Sequence, residues 1–279
     1  RPSCRYRPDK ETIMKHQQIL DKLAARFLVQ ALDESFARAM TWGITAKEFS
    51  LDLQNQIWQK ILSRWDCVLQ EEDKKEVSAA YKQKTILAMA VIAHKYGLNI
   101  DSILPQALAA IDALNAAVEL SDDFERRSPQ IKAFLQTPPQ PLKRRPAMPD
   151  NITFFRPQDV VSIQSRKRFY AAYVHRDTGI NECPVIEFYD GVFDHVPSLE
   201  EIQKLPARGA HYQDGRVRIS RYAVAQMKYL PDPANQVKLI AAAVAQPPSG
   251  KHLEASVGLY ELTDIFTLQK ALEYLFRTT

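Results

Sequence analysis

The sequence predicts an α+β protein: an N-terminal helical bundle joined by a proline-rich linker to a small, mainly antiparallel β domain with a C-terminal helix. Three observations predict it. Apolar residues recur at spacings of three and four through the first 125 residues, the period of a helix with one buried face. Seven prolines then fall at 129, 138, 139, 141, 146, 149 and 157, a density that no long helix tolerates. From Thr153 onward the pattern changes to β-branched and aromatic runs separated by turn residues. The implied boundaries are 1–127 for the bundle, 128–152 for the linker, and 153–279 for a curved sheet or partial barrel.

The elements follow in order. From about Lys10 to Met40, residues Ile13, Leu20, Leu23, Phe27, Leu28, Ala31, Leu32, Phe36 and Met40 form one stripe. Thr41 to Thr45 breaks it, and Thr45 with Glu48 reads as a capping box opening a second helix. That helix carries Phe49, Leu53, Ile57, Ile61, Leu62 and Trp65. The acidic run Glu71-Glu72-Asp73 precedes a third helix, through Val77, Tyr81, Ile86, Ala90 and Ala93, where the macrodipole favours negative charge. Gly97 is its natural stop. A fourth helix spans Ile103 to Leu120, with Pro105 in its first turn. The linker holds one helical turn at Gln130 to Gln136. Strands are expected at 159–163, 168–175 and 184–189, the last two joined by a Gly-containing turn, and then at 216–219, 224–229 and 238–245. Short helices fit at Ser198 to Lys204 and Asp264 to Phe276.

Composition narrows the class. With 46% apolar and 25% charged residues, the chain is globular. It has only 8 glycines against 17 prolines, few for phosphate-cradling loops that need positive φ. Net charge is +4, distributed as −2 over residues 1–125, +5 over 126–150 and +1 over 151–279. The excess therefore sits in the connecting stretch, which reads as a solvated basic linker more readily than as a nucleic-acid face. Cys4, Cys67 and Cys183 are scattered and odd in number, which argues against a disulfide framework or a structural zinc site and suits a reducing compartment. Apolar runs such as Leu239 to Ala245 are too short to span a bilayer, and residues 1–8 lack the apolar core of a signal peptide. The expected location is the cytoplasm. Met14 could itself be a start, making residues 1–13 an upstream extension.

No phosphate loop, dinucleotide fingerprint, zinc-protease helix, nucleophile elbow or EF-hand loop is present. The densest polar constellation runs from Phe188 through Tyr189, Asp190, Phe193 and Asp194 to His195. Two carboxylates and an imidazole this close suggest acid–base or metal chemistry, with His175 and His211 as further ligands; a turn built on Asp190-Gly191 is the simpler account. Cys67 lies among Asp66, Glu71 and Glu72, a setting that raises a thiol pKa, so it reads as structural. Arg166-Lys167-Arg168 followed by Phe169, Tyr170 and Tyr173 suits single-stranded nucleic acid. It also suits a charged hairpin tip, and Tyr170 and Tyr173, an odd number apart, cannot share a strand face. The acidic clusters Glu71-Glu72-Asp73, Asp122-Asp123-Glu125 and Glu200-Glu201 are ordinary solvated ends that could also speed association with a basic partner.

The stretch Phe155-Arg-Pro-Gln-Asp-Val-Val-Ser-Ile163, the strand Phe169 to His175 with its Ala171-Ala172 pair, and Val185-Ile-Glu-Phe-Tyr-Asp-Gly-Val-Phe193 together resemble the opening of certain bacterial immunity proteins of polymorphic toxin systems. Those run F-x-x-G-D-V-x-x-I, then a strand with Tyr and a small-residue pair, then V-x-x-F-Y-D. Here Gln158 stands where the family carries glycine. The resemblance covers roughly 40 of the 279 residues. It implies a non-enzymatic cytoplasmic protein, needing no cofactor or metal, that forms a heterodimer with one cognate toxin and occludes its active site or substrate surface. Immunity proteins against basic nucleases are commonly acidic and this chain is not, which points towards an ADP-ribosyltransferase or another nucleotide-dependent toxin. Candidate contact residues are Tyr189, Asp190, Phe193 and Asp194. The alternative is a nucleic-acid-binding regulatory protein using Arg144, Arg145, Arg166 and Arg168; an enzyme using Asp190, Asp194 and His195 is a third class.

Overall fold

The long N-terminal stripe is not one helix. It breaks at Leu23–Ala25, where Ala24 takes a left-handed φ of +48°, and yields α1 (His16–Lys22) and α2 (Arg26–Gly43). The structure, a computed structural model, describes residues 14–43, 50–73 and 75–277. The expected Thr45–Glu48 capping box, with Cys4, Ile13 and Phe49, lies outside the described residues. Within them α3 (Leu51–Leu69) opens on Ser50, whose hydroxyl accepts from the Leu53 N–H. Then come α4 (Ala79–Lys95), α5 (Leu104–Ala116) and α6 (Asp122–Leu135).

The chain divides into two compact units, one drawn from Arg1–Asp33 and Ala79–Lys143, the other from Glu34–Ser78 and Arg144–Thr279. This differs from the division expected at 128–152. The second half of α2 and all of α3, expected in the bundle, belong with the sheet.

In the first unit α4 is the central helix: Leu87 through His94 are all buried, so its second half is covered around its whole circumference. α1, α5 and α6 pack against it. Gly97 ends it as expected, at φ +75°, with the Leu98 N–H returning to the Ala93 carbonyl and the Gly97 N–H to His94. A Cβ there would lie 2.8 Å from the Gln140 carbonyl oxygen. The single turn expected at Gln130 is instead the end of the 14-residue helix α6. Ser121 caps α6, Asp122, Asp123 and Glu125 fill its first turn, and Phe124, Ser128, Ile131 and Leu135 are buried. Those terms outweigh the one N–H lost at Pro129. His16 of α1 and His94 of α4 bond ring to ring at 2.8 Å, between Nε2 and Nδ1. The Thr137 carbonyl can only accept, so His94 donates from Nε2 and takes the His16 proton at Nδ1. Burial, with His94 and Lys95 nearby, pushes the His16 pKa down to about 4.

The second unit holds β1 (Val160–Ser165), β2 (Arg168–Asp177), β3 (Pro184–Phe188), α7 (Leu199–Ile202), β4 (Ala210–His211), β5 (Val217–Arg218), β6 (Tyr222–Ala225), β7 (Val237–Ala241), β8 (Glu261–Asp264) and α8 (Leu268–Leu275). The six-stranded sheet runs β7-β1-β2-β3-β6-β8, antiparallel except for the β6–β8 pair, and β4 with β5 forms a small separate pair. The α+β class therefore holds, with helices first and a helix last. The sequence expectation lacked β4 and β8, and it placed β6 two residues late; the strand ends at Ala225, before Gln226 with φ +62°. Register explains the two faces. Val160, Tyr173 and Glu187 lie side by side, as do Ala172 and Phe188 on the opposite face. Tyr173 packs with Val160, Ala171, Tyr189 and Ile202, whereas Tyr170 meets Phe276, confirming that the two tyrosines face apart.

α3 joins this sheet through a charge. Its buried stripe runs Ile57, Ile61, Arg64 and Val68, a perfect apolar spacing with one arginine in it. Both terminal nitrogens of Arg64 bond Asp232, at 2.8 and 2.6 Å, and one also bonds Gln236 at 2.9 Å. Asp232 in turn accepts the backbone N–H groups of Ala234, Gln236 and Val237. The pair thus holds the loop that delivers β7. Gln158 just before β1 has φ +75° and is exposed, while Asp159 is buried and accepts the Arg156 N–H at 2.7 Å.

Two measurements check these readings. Arg64→Ala leaves the Asp232 carboxylate buried and uncompensated, and chemical denaturation should show a loss of about 3–5 kcal/mol. Gln158→Gly relieves a left-handed backbone and should raise stability by about 1 kcal/mol.

Candidate functional site

The turn after β3 splits the predicted contact residues between core and surface. Tyr189 is only 2% exposed and belongs to the core cluster, and Phe193 packs partly buried against the same cluster. Tyr189 therefore cannot meet a partner; the sheet buries its aromatic ring, as the alternative reading of a core aromatic and a turn required. Asp190 and Asp194 are exposed. Gly191 permits the turn, since a Cβ there would lie 2.8 Å from Leu205 and 2.9 Å from Phe193. The chain then folds back so that Phe193 and Phe169 exchange backbone hydrogen bonds at 2.9 and 3.0 Å. That bridge carries Asp194 to the tip of the β1–β2 hairpin.

There the turn meets another expected feature. Asp194, Lys167, Phe169 and Gln164 line a recess of about 290 Å³ together with Asp66, Cys67, Gln70, Glu71 and Glu72. The acidic run before α4 and the polar turn after β3, 122 residues apart between Glu72 and Asp194, thus share one surface. Burial raises the Asp66 pKa, against the pull of Lys167. Glu71 bends back to accept the N–H groups of Glu72 and Asp73, each at 2.9 Å. The recess presents four carboxylates and one ammonium, with Phe169 as an apolar lining. Cys67 is buried and burial pushes its pKa up to about 12, so it supplies no thiolate.

His195 stands between two carboxylates. Its Nδ1 lies 2.7 Å from Asp194 and its Nε2 3.0 Å from Glu201, which also completes the Ser198 capping box of α7. Both nitrogens face acceptors, which favours imidazolium. The His195 pKa is raised, chiefly by the Asp194 hydrogen bond, and that of Asp194 is lowered by the same bond. Asp190 does not join them; it pairs with Arg208 at 3.0 Å, and Arg208 also bonds the Leu275 carbonyl and lies over Phe276. The three histidines are likewise separate. His175 bonds Glu187, and the His211 carbonyl accepts the Tyr274 hydroxyl. Among the described residues no group of three or more His, Cys, Asp or Glu is placed to hold a metal ion.

The basic candidates are partly engaged within the protein. Arg166 and Lys167 form the two-residue hairpin turn with φ of +49° and +61°, the left-handed pair that asparagine and glycine usually supply. Arg166 pairs with Glu273 at 2.6 Å, and Arg145 donates to the Thr41 carbonyl. Arg144 and Arg168 are exposed, and Asp194 is held down in part by Arg168. No helix among the described residues is long and apolar enough to cross a membrane.

Sequence reading missed that Asp66, Gln70 and Gln164 would join the turn. The acidic run itself was visible, but the strand pairing that brings Asp194 to it is a tertiary fact. The His195 cluster gives a pH test. Its folded midpoint in an NMR titration should lie above the ordinary 6.5 and move down in Glu201→Gln. Because the folded pKa is raised, the attached stabilisation is present below pH 6.5 and fades as pH rises through the folded midpoint.

No protein-family model, no curated protein and no solved structure matches this chain.

Proposed function

We propose that this chain is an immunity-type inhibitor that binds a cognate bacterial toxin in the cytoplasm and neutralises it by occlusion. The observation that carries the reading is the acidic recess, where Glu72 and Asp194 are exposed beside Phe169 and Lys167. Such a surface suits a basic cleft on a folded partner, since complementary charge steers encounter and an apolar base adds buried area. A toxin that acts on nucleotides, such as an ADP-ribosyltransferase, needs a basic cleft for phosphates, and carboxylates can occupy it in their place. Asp190 and Phe193 extend the same turn as secondary contacts.

The resemblance noted above gains one supporting detail. Where the family carries glycine, Gln158 has φ +75°, a conformation that glycine adopts without strain. The nucleic-acid reading is the weaker one, because Arg166 is ion-paired and Lys167 sits among carboxylates. The enzyme reading needs Asp190, Asp194 and His195 together, and Asp190 pairs with Arg208 instead.

The test is co-expression with a toxin domain encoded beside this chain. The wild type should restore growth and bind one to one. Glu72→Lys combined with Asp194→Lys should slow association at low salt by roughly tenfold while the circular dichroism spectrum is unchanged. Equal neutralisation by the double variant would remove the recess from the interface. Neighbouring effectors left fully active and unbound by the wild type would end the reading altogether.

A further inference from the structure

We propose that His195 is a proton-operated gate on the acidic recess: as imidazolium it holds Asp194, and on losing its proton it releases that carboxylate to a cationic partner. The inference rests on the recess reading above and adds its regulation.

The geometry is that of one ring shared by two acids. Nδ1 of His195 lies 2.7 Å from Asp194 and Nε2 3.0 Å from Glu201. Only an imidazolium carries an N–H on both nitrogens; the neutral ring has one donor, and its other nitrogen presents a lone pair. One of the two contacts therefore breaks when the proton leaves. The two acids are not equally free to move. Glu201 is the third residue of α7, and its other oxygen accepts the Ser198 N–H at 2.7 Å, closing the capping box. Asp194 stands on the turn with its side chain 83% exposed. Asp194 is the partner that is let go.

The surroundings set the direction. Asp194 faces His195 from the turn and Glu201 faces it from α7, with the Phe193 ring edge-on at 6.3 Å. Arg168, at the start of β2, acts on Asp194 as well. Lys167, Asp66, Glu71 and Glu72 share the recess with Asp194. The Asp194 hydrogen bond, followed by the one to Glu201, raises the His195 pKa and puts the midpoint of the gate above 6.5. Below that midpoint the imidazolium cancels one of the four carboxylates of the recess; above it the recess regains that charge. Attraction for cations thus rises with pH. Linkage runs both ways, so a cation that takes Asp194 should favour release of the His195 proton.

Deca-arginine, N-terminally labelled, is the probe, because its charge is constant from pH 6 to 8.5. Its binding to the intact chain at low ionic strength, followed by fluorescence anisotropy, should tighten about threefold over that range, the effect of one unit charge a few ångströms away in water. His195→Gln should bind throughout as the wild type does at pH 8.5, and His195→Arg as it does at pH 6. Asp194→Asn should lose the response although His195 is intact. All other groups are common to the four proteins, so these differences belong to the pair, and circular dichroism should show one fold in all. No binding, no response in the wild type, the same response in His195→Gln, or a response that survives Asp194→Asn would each overturn the gate. The toxin reading fails separately: a chain that leaves its neighbouring toxin active but keeps the deca-arginine response retains the gate and loses only that partner.

Discussion

The second unit depends on one buried ion pair. Arg64 stands in the apolar stripe of α3 and is almost fully removed from water, as is Asp232. Burying two charges costs several kcal/mol unless the remaining donors and acceptors are satisfied. Here they are, because Asp232 takes both nitrogens of Arg64 and three backbone N–H groups of its own loop. The pair adds little net stability over a well-packed apolar contact. What it supplies is position: a helix from the first quarter of the chain is fixed in one register against the loop feeding an edge strand. Gln236, which bonds the same guanidinium, also accepts the Gln164 N–H from the end of β1. The location of Gln164, and with it one wall of the acidic recess, follows from that arrangement.

Periodicity carried far more of the fold than of the site. Strong local signals survive folding because they are local: the stop at Gly97, the cap at Ser198, the alternation from Arg168 to His175. What failed was also physical. Ala24 breaks a helix that its apolar spacing would continue, since nothing in an alanine announces a left-handed backbone. Pro129 misled in the other direction, because a buried stripe and an acidic first turn can carry one proline. β8 has little alternation to detect, as its apolar residue points outward.

The site divides along the same line. Asp194 and the run from Glu71 to Asp73 could each be noticed as charged and exposed, yet only the Phe169–Phe193 bridge joins them. Tyr189 looked like a contact residue because aromatics next to turns often are; its position on the inner face of the sheet decided otherwise. Arg64 passes unnoticed in the sequence, because nothing local ties it to Asp232, which only the tertiary fold brings against it.

The interleaving of the two units sets the order in which the chain can mature. A ribosome releases α3 long before any strand of its sheet exists, and the sheet is complete only when β8 has emerged. The helical unit, by contrast, has all its parts by Lys143. During the interval Trp58 and Trp65 of α3 can already meet Phe36 and Ser35 of α2, but Arg64 has no Asp232 to pair with. Synthesis therefore separates the two halves of this ion pair in time, so the register of α3 becomes fixed only after the loop at Asp232 has left the ribosome.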